Sequence, residues 1–216
     1  MELLNVVKAR SIWLFDFADL NPSGRRISTE LIEWLKAYYK FSKAPSSPDD
    51  IDPTKALAFL DGSFAANASR PIAVDLRMYT DGFVADTRSS TDLSDNFLDD
   101  LLQRAAKQFE LGYKPTTIRK KMYLSELSLH CDKSLEDVCP KLKAFADKVT
   151  TALNRSTKFS SVGWWTDPEM QSTLGQFRFE RKYGAAFSDQ RYYSVAPLRT
   201  ADHLKLLEEL EEILSA

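Results

Sequence analysis

Two runs of alternating residues, Ile72 to Thr80 and Phe83 to Arg88, flank the dipeptide Asp81-Gly82, and no other feature of the 216-residue sequence restricts the fold as tightly. Asp-Gly between alternating runs signals a β-hairpin, because a two-residue type I′ turn needs φ > 0 at both central positions. That turn pairs Thr80 with Phe83, which places Arg77 opposite Asp86 and Asp75 opposite Arg88. Two complementary ion pairs then share one face, each contributing roughly 0.2–1 kcal/mol. Val74, Leu76, Met78, Phe83 and Ala85 fall on the other face, which must meet a core.

The remaining elements follow from periodicity and punctuation. Ser11 to Phe17 is apolar on both faces and suits a buried central strand. A proline-bearing turn over Asp19 to Gly24 ends it, and a helix starts at Ser28 with Leu31, Ile32, Leu35, Tyr38 and Tyr39 inward. Residues 43–53 hold three of the nine prolines and read as a mobile loop, followed by a short helix over Pro53 to Leu60. A helix spans Asp92 to Leu111, capped by Thr91 or Ser94, with Gly112 placed as its C′ residue. A strand over Lys121 to Cys131 precedes a helix over Pro140 to Leu153, with Leu142, Phe145, Ala146, Val149 and Leu153 inward. Strands follow at Phe159 to Thr166, Gln176 to Tyr183 and Arg191 to Ala196. The last helix, Thr200 to Leu214, turns Leu206, Leu207, Leu210, Ile213 and Leu214 inward and Glu208, Glu209, Glu211 and Glu212 outward.

These elements define an α+β class, a two-layer arrangement of sheet and helices. The first ~130 residues carry a ferredoxin-like βαββαβ order, extended by a C-terminal α-β-β-β-α segment. One domain covers residues 1–216, with a subdivision into 1–132 and 133–216 as the alternative.

Composition sets the function classes. Apolar residues at 44% and aromatics at 12% oppose disorder, and two cysteines exclude a disulfide scaffold. With 29 basic and 31 acidic residues the net charge is −2, so nucleic acid is disfavoured as a partner. No charge-free run exceeds eight residues and the start lacks a basic n-region, which predicts a cytoplasmic protein with no membrane contact.

Candidate chemistry is sparse. Asp16, ending an apolar strand, resembles the nucleophile motif of the haloacid dehalogenases. That motif needs a second Asp two residues on, where Ala18 stands, so Asp16 is read as a carboxylate bonded to the following turn. His130, Cys131, Cys139 and His203 lack zinc-ligand spacing, and no phosphate-binding glycine loop or nucleophile elbow occurs. Asp75, Asp86 and Glu126 lie on strands and form the alternative reading, a metal-dependent hydrolase or nuclease. Arg25-Arg26 and Arg119-Lys120-Lys121 are short basic runs of the kind that solvent ordinarily covers.

Trp164-Trp165 and Tyr192-Tyr193 each place successive aromatics on a strand, where they must face opposite sides. One of each pair suits the core and the other a contact surface. The expectation is therefore a non-enzymatic interaction or assembly protein without cofactor or metal. It binds a protein partner, or itself, through a sheet face and the aromatic C-terminal strands.

Overall fold

The computed structural model describes residues 1–22, 24, 28–45, 56–66, 70–138, 140–165 and 176–215. The strands are β1 (Glu2–Leu14), β2 (Leu57–Phe64), β3 (Ile72–Tyr79), β4 (Gly82–Thr87), β5 (Lys120–His130), β6 (Ser161–Trp164), β7 (Phe177–Arg181) and β8 (Arg191–Ala196). The helices are α1 (Phe17–Leu20), α2 (Ser28–Tyr38), α3 (Thr91–Phe109), α4 (Pro140–Leu153) and α5 (Thr200–Ser215). The class is mixed α and β, built on an eight-stranded antiparallel sheet in the order β2-β3-β4-β1-β5-β8-β7-β6. Two compact units divide the chain, one of Lys8–Leu124 and the other of Met1–Val7 with Ser125–Ala216. No helix among the described residues is long and apolar enough to cross a membrane.

In the Lys8–Leu124 unit, odd positions of β1 and β5 and the inward positions of β3 and β4 face α2 and α3. Trp13, Phe59, Leu76, Phe97, Leu98 and Leu101 are almost fully buried there. Trp13 shows how polar atoms enter this core without remaining unsatisfied: its indole N–H donates to Asp95 at 2.8 Å, and Tyr123 donates to the same carboxylate at 3.0 Å. The Lys121 ammonium lies 3.6 Å from the Trp13 ring centroid. The N-cap of α3 is Ser90, and neither Thr91 nor Ser94: its hydroxyl accepts the Leu93 N–H at 3.2 Å, and the helix begins at Thr91. At its other end Glu110, not Gly112, takes the left-handed C-cap conformation, at φ 57°.

Three expectations change in this unit. The first strand starts at Glu2 instead of Ser11 and ends before Phe17, because Asp16 accepts the Ala18 N–H at 2.9 Å and caps α1. The short helix expected over Pro53 to Leu60 is replaced, from Leu57, by strand β2. A bulge between Phe59 and Gly62, with Asp61 at φ 55°, shifts the parity of the strand, so Phe59 and Phe64 both point inward and period-2 alternation is lost from the sequence. The opening order therefore contains one strand more than βαββαβ. The proposed loop at 43–53 lies, from residue 46, outside the described residues.

The third change is the hairpin register. Tyr79 pairs with Gly82, so Arg77 stands opposite Val84 and Asp75 opposite Asp86. A shift of two leaves every side chain on its expected face and changes only its neighbours. Asp86 gains a better partner from β1, where Arg10 is its direct cross-strand neighbour. Arg10 donates through Nε at 2.6 Å and Nη2 at 2.8 Å, and Arg77 reaches the same carboxylate diagonally at 2.7 Å. Burial alone raises the Asp86 pKa, but hydrogen bonds and charge from Arg10 and then Arg77 outweigh it and hold the group below the usual carboxylate value. Asp75 instead accepts the backbone N–H of Asp61 at 2.8 Å and so satisfies the bulge.

Asp86→Ala is expected to cost about 2 kcal/mol in urea unfolding, since it removes the carboxylate that two partly buried guanidinium groups share. A loss below about 0.5 kcal/mol, the range of ordinary surface substitutions, would contradict a structural role for this cluster.

In the other unit, β5 from Ser125 pairs with β8, β8 with β7 and β7 with β6. Leu127, Leu129, Phe179, Tyr192 and Leu207 form its core, with the Phe179 and Tyr192 rings stacked at 4.7 Å. Buried among them is His203, which bonds Ser125 through Nδ1 at 2.6 Å and Ser194 through Nε2 at 2.8 Å. Ser194 spends its own proton on the Arg178 carbonyl at 2.9 Å, so Nε2–H must be the donor and Nδ1 accepts from Ser125. The expected inward stripe of α4 is corrected: Leu142, Phe145 and Leu153 are exposed, and among the described side chains of α4 only Ala146, Val149 and Thr150 are half-buried.

Candidate functional site

An open apolar groove of about 430 Å³ lies in the Ser125–Ala216 unit, with β6 and β7 on one side and α5 on the other. Register places its strand side. Trp164 pairs with Phe177 at the end of the β6–β7 ladder, and their rings meet edge-on at 5.4 Å. The Phe177 ring in turn lies 5.7 Å from buried His203, which anchors the floor of the groove to the core.

Helical geometry places the other side. Leu206-Leu207 and Ile213-Leu214 are adjacent pairs, and neighbours on a helix are about 100° apart, so both members of a pair cannot face one core. Leu207 and Leu214 are buried, while Leu206, Leu210 and Ile213 form a second stripe that lines the groove. The expectation of a single inward stripe is corrected accordingly. Those doubled apolar positions were the available sequence signal for the site.

The residues singled out from sequence fare differently. Trp164 and Trp165 are 56% and 82% exposed, and both line the groove. The strand ends at Trp164, so strict alternation no longer constrains Trp165. Tyr192 belongs to the core and donates to the Lys133 carbonyl at 3.2 Å, with burial pushing its phenol pKa up. Tyr193 points to the opposite face and donates to Glu126 at 2.6 Å; burial and that bond both raise its pKa. Neither tyrosine lines the groove.

The carboxylates of the alternative reading have separate partners. Asp75 holds a backbone N–H, Asp86 two arginines and Glu126 a tyrosine. Among the described residues no group of three or more His, Cys, Asp or Glu is placed to hold a metal ion. Cys131 is buried, and burial raises its thiol pKa, the opposite of what an activated nucleophile needs. Cys139 and Arg25-Arg26 lie outside the described residues. Arg119 is engaged by Asp19 at 2.9 Å.

Neither a family model nor a curated protein matches this sequence. Among solved structures, the chain is similar to the Methanococcus jannaschii TBP, at 11% identity over 99% of this chain and 97% of that one, with a TM-score of 0.45. A net charge of −2 describes the mean field of the chain and not the field at any one face, so the charge balance by itself does not set nucleic acid aside as a partner.

Proposed function

We propose that this chain is a non-enzymatic interaction protein that receives the apolar side of a protein segment in the groove between β6–β7 and α5. One observation carries the reading: Trp164, Trp165 and Ile213, three large apolar side chains more than half exposed, surround a single groove. Exposed apolar surface gathered in one concavity, with tryptophan at its rim, is what a docking site requires and what a monomer otherwise avoids. A recurrent solution is the apolar face of an amphipathic helix, and the stripe Leu206, Leu210, Ile213 offers the matching i, i+4, i+7 spacing. For the fold we further read β3-β4-β1-β5 with α2 and α3 as a ferredoxin-like core to which β2 is added at the edge; the hydrogen-bonded strand order supports this.

Peptides selected from a displayed random library against the intact chain should bind with a blue shift of tryptophan emission. Ile213→Asp, an exposed position that tolerates charge in the folded state, should weaken them at least about tenfold. Selected peptides that bind the variant equally well would overturn the reading. So would a nucleic-acid duplex bound in the groove, recognised by competition with those peptides.

A further inference from the structure

We infer that the occupant of the groove is helix α4 of a second copy of this chain, an inference that rests on the groove being a docking site. Among the described residues, the Ser125–Ala216 unit exposes a second set of large apolar side chains besides those of the groove. On α4, Phe145 and Leu153 are 62% and 59% exposed, and Leu142 is exposed with them. Their spacing of three and eight residues keeps them within one stripe on a helix of 3.6 residues per turn, and half-buried Val149 lies in the same stripe. Helix α4 contributes no residue to the lining of its own groove. Bringing the two sets of side chains together would remove both from water.

Charge makes the match directional. Lys143 and Lys148 fall on the two sides of the α4 stripe. On α5, Asp202 and Glu209 border the Leu206, Leu210, Ile213 stripe, with Lys205 and then Glu212 beyond them, so the rim keeps an acidic excess. Glu209 itself lines the groove. Helix α4 laid along α5 therefore sets leucine and phenylalanine on the apolar wall and lysines against the acidic rim. Pairing of two α5 helices would instead bring these carboxylates together, which is unfavourable. Contact between two different patches is heterologous, so it either closes as a reciprocal pair or continues into larger assemblies.

Sedimentation velocity of the full chain across the micromolar range tests this. Reversible association is expected, lowered by salt. Phe145→Glu on α4 and Ile213→Glu on α5 should each raise its Kd at least about tenfold. Both positions are exposed, and unchanged circular dichroism checks that each variant folds. Mixing the two variants should restore a complex, because one retains an intact groove and the other an intact α4. A monomer at every concentration, indifference to either substitution, or failure of the mixture to associate overturns the proposal. If the chain stays monomeric while library peptides still depend on Ile213, only the second copy is excluded as occupant. If no peptide depends on Ile213, the docking reading fails as well.

Discussion

Gly82→Ala is expected to lower the unfolding free energy by about 3 kcal/mol, a cost of steric overlap and backbone strain in a tightly packed strand. A Cβ built on Gly82 lies 2.3 Å from the carbonyl oxygen of Trp13 and 3.1 Å from the Leu14 Cα. Both are backbone atoms of the neighbouring strand, so no rotamer change relieves the clash. The residue pairs with Leu14 on one side and Tyr79 on the other, and a displacement there is transmitted to both ladders. Chemical denaturation measures the loss, and an unchanged denaturant slope would confine it to the folded state. A cost under about 0.5 kcal/mol would mean that β1 and β4 separate freely at this point.

Acid is expected to remove about 3 kcal/mol of stability between pH 6.5 and pH 4 through His203 alone. Burial pushes its imidazole pKa down from 6.5 to about 4. In the unfolded chain the ring takes up a proton near pH 6.5, whereas in the folded chain it stays neutral until about pH 4. The unfolded state therefore binds more protons across that window, and stability rises with pH there. The contribution is complete above 6.5 and declines by about 1.4 kcal/mol per pH unit as pH falls toward 4. Below about 4 both states are protonated and the loss is complete. Unfolding curves at intervals across the window check the slope. His203→Gln should flatten it, and a wild-type slope that survives in the variant would assign the effect to other groups.

These two residues also show where the sequence was legible. The Asp81-Gly82 signal located a hairpin correctly, and its inward face is the one observed. The register differed because Gly82 serves a close approach to β1, a contact 68 positions away in sequence that no local turn rule contains. His203 was visible only as an isolated histidine on a helix. What makes it a neutral, doubly bonded core residue is Ser125 and Ser194, supplied by two strands. Trp164 and Trp165 were picked out because adjacent bulky residues on a strand cannot share a core. Leu206 and Ile213 were assigned to the core, since helical periodicity says which residues share a face but not which face meets a partner.

By itself, then, the sequence determined the kinds of elements and their faces. Periodicity, capping and glycine-proline punctuation act within a few residues, and Thr200–Ser215, Arg191–Ala196 and Pro140–Leu153 follow from them almost residue for residue. The bulged strand β2 escaped because a single residue at φ 55° reverses the alternation that identifies a strand. Strand order, the Arg10–Asp86–Arg77 cluster and the groove beside α5 were decided only by tertiary structure. Each depends on which distant backbones become neighbours, and that is settled by the burial of the whole apolar surface together.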